Sequence, residues 1–248
     1  TDIVAFGYQS GGTSTGSYST AIGYQTMVTN SGAYNTAVGY QSLQNPTGGR
    51  NVAIGRTALQ VNTSGNFNVG IGGANALGSN TTGTNNIAVG DSAISGNTTG
   101  SSNVGLGVSA LQSNTTASNN TAVGYQAGYS NTTGVALNAF GMQALQANTT
   151  GVGNSAFGGY HVGQYNAALF SNTTGNYNNA FGSGALSNNT TGSNNVAIGW
   201  AALQANTTAS YNTAVGYQAG YSNTTGAGNT SLGYTAGSDI TTGNYNVY

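Results

Sequence analysis

The sequence predicts an all-β chain, a repetitive parallel β-roll or β-solenoid with about 17 residues per coil, running as one continuous repeat segment over 1–248. Three observations predict it. A glycine recurs at Gly7, Gly23, Gly39, Gly55, Gly72, Gly90, Gly107, Gly124, Gly141, Gly158, Gly182, Gly199, Gly216 and Gly233, at spacings of 16 to 18 residues with one spacing of 24. The residues just before it alternate large and small with period two. An Asn-Thr-Thr-(Gly/Ala) motif follows it in most copies.

The segment ahead of the glycine reads as a strand. Immediately before it stand Phe6, Ile22, Val38, Ile54, Ile71, Val89, Leu106, Val123, Phe140, Phe157, Phe181, Ile198, Val215 and Leu232, all apolar. Two residues before it the column is Ala, with Gly70, Gly105 and Ser231 as exceptions. Three before, it is mostly Val, Thr or Ile. Such alternation is a strand pattern, and it puts the two columns on opposite faces. The large column is expected to be the structural core. The Ala column, which admits almost nothing bigger, is expected to press against a neighbouring subunit or another sheet. The glycine allows a bend, a bulge or a close backbone approach.

Beyond the glycine many copies follow, in whole or in part, the pattern Tyr-Gln-(Ala/Ser)-Leu, as in Tyr40, Gln41, Ser42 and Leu43. The residue four past the glycine reads as a second core position on a short second strand. Asn-Thr-Thr-Gly then reads as a turn, since Asn and Gly tolerate left-handed angles and Asn or Thr can bond its own backbone. A helix at pieces such as 201–205 competes weakly, being short and interrupted by glycine in every copy. A unit of this length cannot bury a core alone. Stacking copies about 4.8 Å apart buries a continuous one and lines up matched Asn and Tyr residues as ladders. The spacing of 24 marks an insertion within 159–175. Tyr160, His161, Tyr165 and Phe170 there are the candidate surface binding residues, because departures from a repeat often map to a binding face; a neutral insertion explains them equally well.

Composition excludes much else. Charged residues make up 2% of the chain, against about 25% in ordinary domains. They are Arg50, Arg56, Asp2, Asp91 and Asp239, with His161 the one histidine and neither Lys, Glu nor Cys present. A net charge of −1 leaves no basic patch for nucleic acid or for anionic membranes. No apolar run is long enough for a bilayer, and 1–20 lacks a secretion-signal pattern. Opening at Thr1, the chain reads as a stretch of something longer. One histidine and three scattered aspartates build neither a catalytic constellation nor a metal site, and a glycine that recurs in every coil is no dinucleotide fingerprint, so no enzyme, metal or cofactor is expected. The motif Asn-x-(Ser/Thr) recurs at Asn62, Asn80, Asn97, Asn114, Asn131, Asn148, Asn172, Asn189, Asn206 and Asn223. It reads first as a turn and second as a set of glycan acceptors. Tyr8, Tyr24, Tyr40, Tyr125, Tyr217 and Tyr234, with Trp200 in register, read first as a bracing ladder and second as a platform for sugars.

The strand motif Asn51-Val52-Ala53-Ile54-Gly55, repeated as Asn195-Val196-Ala197-Ile198-Gly199 and as Asn120-Thr121-Ala122-Val123-Gly124, resembles the head repeat of YadA-like trimeric autotransporter adhesins. Asn-Thr-Ala-x-Gly-Tyr-Gln-Ala-Leu arrays of this kind also resemble phage-type tail-fibre repeats. The resemblance implies a left-handed parallel β-roll, three of which pack into a homotrimeric rod on a cell or virion surface. It makes the expected function that of an extracellular fibre segment binding a host-surface glycan or protein receptor by many weak contacts. A self-assembling filament without a receptor and an ice-binding solenoid are the alternatives.

Overall fold

The computed structural model describes residues 2–161, 163 and 166–248. Two compact units divide the chain, Thr1–Asn120 and Thr121–Tyr248. Both are parallel β-solenoids with one short strand per coil, and no helix occurs among the described residues. The first unit carries β1 (Ile3–Phe6), β2 (Ser19–Ile22), β3 (Thr36–Val38), β4 (Val52–Arg56), β5 (Val69–Ala74), β6 (Ile87–Val89) and β7 (Val104–Leu106). The second carries β8 (Thr121–Val123), β9 (Asn138–Phe140), β10 (Ser155–Phe157), β11 (Asn179–Phe181), β12 (Val196–Ile198), β13 (Thr213–Val215) and β14 (Thr230–Leu232). Within each unit every strand pairs in parallel with the next in sequence, so that like stands on like: Ala37 beside Ala53, Ile198 beside Val215.

The two faces of the strand are the reverse of the sequence expectation. The Ala column points into the coil: Ala21, Ala37, Ala53, Ala88, Ala122, Ala156, Ala180, Ala197 and Ala214 are all fully buried. The large column points out. Phe6, Ile22, Ile54, Val89, Leu106, Phe181, Ile198 and Leu232 are exposed, while Val38, Ile71, Val123, Phe140, Phe157 and Val215 are half-buried. The physical reason lies across the coil. Met27, Leu43, Leu59, Leu77, Ile94, Leu111, Leu145, Leu169, Leu186 and Leu203 project inward from the opposite wall and already fill the lumen. A Cβ added at Gly105, in the Ala column, would lie 2.7 Å from Ile94 Cγ1, and one at Gly70 would lie 3.4 Å from Leu59 Cγ. Where a large residue from the far wall fills the lumen, the strand facing it contributes a small one.

The expected second strand does not form among the described residues: segments after the glycine, such as 40–43 and 142–145, form corners. Alternate residues there take left-handed angles, as at Gln41 (φ 51°) and Leu43 (φ 46°), which breaks the extended run a strand needs. The corners still bond from coil to coil, Leu43 N–H donating to Ala58 O at 3.0 Å. The glycine before most corners has a positive φ of about 120–140°, as Gly90 does at +132°, with Gly72 an exception. A Cβ on Gly90 would also meet the Gly107 carbonyl carbon and oxygen of the next coil at 2.6 Å. Only glycine fits both demands.

Two asparagine ladders complete the interior. The asparagine ahead of most strands accepts and donates in a repeating pattern, interrupted by a buried Leu137 ahead of β9: Asn68 N–H donates to Asn51 Oδ1 at 2.9 Å, and Asn68 Nδ2 donates to Gly83 O at 2.8 Å. The same geometry recurs at Asn86, Asn178, Asn195, Asn212 and Asn229. The Asn-Thr-Thr asparagines form the second ladder, where Asn97 Nδ2 donates both to Asn80 Oδ1 at 2.8 Å and to Gly100 O at 2.9 Å. Bonding of the side-chain amide within the ladder is how a polar side chain is tolerated at zero exposure. The second ladder stops at Asn223, whose Oδ1 has no hydrogen-bond partner, because the following coil carries Ile240 at the matching place.

Candidate functional site

Among the described residues the surface is organised as columns, each built from one residue per coil. Among the described residues, no group of three or more His, Cys, Asp or Glu side chains could hold a metal, and no helix is long and apolar enough to cross a membrane.

Of the two outward columns of the strands, the one just before the glycine is apolar in both units, while the one two residues earlier mixes Val and Ile with Thr20, Thr36, Thr121, Thr213 and Thr230. In the first unit, Ile87 and Val89 stand side by side at 40% and 39% exposure, flanked by Ile54 and Leu106 on other coils. In the second, Ile198 is 42% exposed and Phe181 39%. Stacked neighbours above and below already cover the flanks of these side chains, so what remains is their tips, aligned in two parallel rows about 4.8 Å apart along each unit. None of the charged side chains occupies these two columns. Between β8 and β12 the rows change character. Phe140, Phe157 and Phe181 stack face to face with centroids 4.7 Å apart and planes within 6°. Their row-mates Asn138, Ser155 and Asn179 are small and polar, and Asn138 Nδ2 donates to Ser155 Oγ at 3.4 Å.

The tyrosine column forms a three-ring stack in each unit, while Tyr125 stands exposed between Val108 and Met142 of its column. Tyr8, Tyr24 and Tyr40 lie 5.2 Å apart, and Trp200, Tyr217 and Tyr234 follow at 5.0 and 5.2 Å. A sugar needs a free ring face, and each ring inside the stack gives its faces to its neighbours. For Tyr24 and Tyr217, inside the stacks, this favours bracing over sugar capture, whereas Tyr8, Tyr125 and Tyr234 are more open. A second aromatic column holds Tyr18 on Tyr34 at 5.2 Å, then Arg50, whose guanidinium lies 5.7 Å from the Tyr34 ring and 5.1 Å from Phe67. The cation continues the stack where a ring is missing.

The Asn-Thr-Thr turns present one hydroxyl row. The first threonine of each pair donates Oγ1–H to the next coil, as Thr98 does to Thr115 O at 3.2 Å and Thr190 to Thr207 O at 3.1 Å. The second, such as Thr99 or Thr191, is exposed. A single row of free hydroxyls is a poor template for a two-dimensional ice lattice, which weighs against that alternative. The asparagines of these turns are closed to glycan transfer in the folded chain: Asn80, Asn97, Asn148 and Asn189 are fully buried, with Nδ2 donating inside the ladder.

The insertion accounts for two of its four candidate residues. Leu169 resumes the inward leucine column, its N–H donating to Ala185 O at 3.0 Å, so the extra residues fall between Gly158 and Ala167. Tyr160 and His161 are exposed at the start of this loop, although Tyr160 N–H still bonds Met142 O of the preceding coil at 3.0 Å. Phe170 belongs to the regular wall instead, half-buried beyond Leu169. Tyr165 lies outside the described residues. The residues that sequence reasoning missed as a surface are those of the outward apolar rows, and the signal was present: a strand with two distinct columns had its larger one assigned inward by size alone. The chain matches no protein-family model, no curated protein and no solved structure.

Proposed function

We propose that this chain is a segment of a homo-oligomeric extracellular fibre, trimeric by its resemblance to adhesin head and tail-fibre repeats, with a structural and adhesive role and no catalytic one. The outward apolar strand face carries the reading. An uncharged ridge that repeats once per coil is covered along its length only by a surface of the same period, and another copy of this chain supplies one. Parallel sheets usually have both faces covered, and here the coil's own lumen covers only one. The charge-poor surface gives no electrostatic reason to prefer a different protein. A cell or virion surface is the proposed setting, with attachment through many weak contacts to a glycan or protein receptor.

The test is absolute mass in solution by light scattering. The native chain is expected at three times 24.5 kDa. A variant with Ile54→Lys and Ile198→Lys, one outward residue in each unit, is expected to keep its β circular dichroism but fall to single-chain mass. A native chain at single-chain mass would overturn the proposal, and species that grow with concentration would favour an open filament.

A further inference from the structure

We infer that Tyr177, Tyr211 and Tyr245 form a platform for an extended β-1,4-linked polysaccharide lying along the coils. This gives a ligand class to the glycan contact proposed above and rests on that reading. The three tyrosines stand two residues ahead of the strand, in the column that Tyr18, Tyr34, Arg50 and Phe67 occupy in the first unit. There, rings and cation fill successive coils and cover one another's faces. In the second unit tyrosine alternates with Asn194 and Gly228, so no ring stands on the adjacent coil. Tyr177, Tyr211 and Tyr245 are accordingly 59%, 69% and 85% exposed. Two of them also use the space a small residue leaves. A Cβ added at Gly153 would lie 2.6 Å from Tyr177 Cδ1, and one at Gly228 would lie 2.7 Å from Tyr245 Cδ1.

Nothing in the coil itself calls for these rings. All three hold left-handed angles, with φ of 55°, 64° and 56°, a region that asparagine tolerates and a bulky aromatic residue does not favour. The chain supplies its own comparison. Residues 206–226 repeat 114–134 one for one, except that Tyr211 stands where Asn119 does. Asn119 takes φ 62° at that place, so the coil closes equally well without the ring. In the first unit the strain is offset by stacking on neighbours. At Tyr211 it is carried by an exposed side chain with no ring beside it, and strain kept without a packing return marks a functional position.

The spacing selects the ligand. Coils rise about 4.8 Å, so rings two coils apart repeat every 9.6 Å or about that. An extended β-1,4-linked chain turns each sugar over relative to the last and presents the same apolar ring face to one side at every second sugar, a repeat of similar length. An α-linked chain curls away from such a row. The side chain immediately before each tyrosine is polar and already held. Asn176 Oδ1 accepts from Val152 N–H at 2.8 Å, Ser210 Oγ from Ser193 N–H at 2.9 Å, and Asn244 Oδ1 from Ala227 N–H at 2.7 Å. The Asn176 and Asn244 Nδ2 groups and the Ser210 hydroxyl proton are left to donate to sugar oxygens. Apolar ring faces flanked by a few fixed polar groups are what a sugar site requires. Asp239 is the one charged residue of the second unit, which suits a neutral glycan.

The experiment titrates the full chain, by isothermal calorimetry, with cellohexaose and with chitohexaose, which share the linkage and differ at one sugar substituent. Maltohexaose, with the α linkage, is the third probe. One or both β-linked hexasaccharides are expected to bind, the better of them naming the sugar, and maltohexaose is not. Tyr211→Asn, which matches the duplicate coil and so keeps the fold, is expected to bind about tenfold more weakly. Tyr211→Phe, which keeps the ring, is expected to bind as the native chain does. Absence of binding to both β-linked probes would overturn the platform, as would equal binding of maltohexaose or an unchanged affinity in Tyr211→Asn. Light scattering on the same samples separates this from the oligomer reading. An oligomer that binds neither β-linked probe overturns the platform alone, and a single chain that binds supports the platform while removing the oligomer.

Discussion

Replacing Asn189 by Ala tests whether the interior ladders hold the coils together. Asn189 makes three amide bonds: Nδ2 donates to Asn172 Oδ1 at 2.8 Å and to Gly192 O at 2.9 Å, and Oδ1 accepts from Asn206 Nδ2 at 2.8 Å. Two of the partners keep another bond, because Gly192 O still accepts from Asn178 Nδ2 and Asn206 Nδ2 still donates to Ala209 O. Asn172 Oδ1 loses its donor while remaining fully buried. One orphaned buried acceptor costs about 1–3 kcal/mol and the two other lost bonds about 1 kcal/mol each, so the variant should lose about 4 kcal/mol. For a chain of this size that is a fall of about 8–16 °C in Tm. Thermal and urea unfolding followed by circular dichroism measure it, with Thr191→Ala, on the exposed turn beside it, as a control expected within about 0.5 kcal/mol of native. A loss below about 1 kcal/mol for Asn189→Ala would refute the view that each rung depends on both of its neighbours.

Gly90→Ala should cost about 4 kcal/mol, combining a left-handed backbone angle of +132° with a Cβ driven onto the Gly107 carbonyl; the same unfolding assay reads it. Ile94→Leu should gain about 0.5–1 kcal/mol, since Ile94 holds φ at 50° with a β-branched side chain where most other coils use the unbranched-at-Cβ Leu; a higher urea midpoint checks it. Arg50→Ala should lose about 1 kcal/mol by opening the stack between Tyr34 and Phe67, and Arg50→Tyr should recover it. Made in a host that attaches N-linked glycans, the folded fraction should carry none on Asn97 or Asn189, as intact mass before and after glycosidase treatment will show.

The repeat, its length and its parallel stacking were legible because one glycine per coil is forced by backbone geometry, and forced positions leave a column. Gly90 and Gly199 show it: each faces the backbone of the next coil, where nothing larger fits. The insertion was legible for the same reason, as an interruption of that column. The direction of the strand faces was not. Size suggested that Ile54 pointed in and Ala53 out, yet burial is decided by the space left by Leu43 and Leu59 on the far wall, which no local pattern reports. The second strand failed similarly: Gln41 and Leu43 alternate polar and apolar as a strand would, but their left-handed angles make a corner. Asn51 and Asn68 precede their strands as asparagines do in most coils, and that recurrence pointed to a ladder whose bonding only the folded coil reveals.

The direction of the hydrogen bonds has a mechanical consequence. Backbone bonds and both asparagine ladders join each coil to the next, so they lie along the line in which coils stack. Tension applied along that line opens them in sequence, like a zipper, instead of shearing many at once. Each coil that peels away releases 17 residues in the regular part of a unit, as the Asn189 to Asn206 rung measures. Fully drawn out, those residues span about 58 Å in place of about 4.8 Å of stack. A fibre built this way would lengthen in steps under a pull, yielding one coil while the rest keep their shape, and so would hold a tether that lengthens before it breaks.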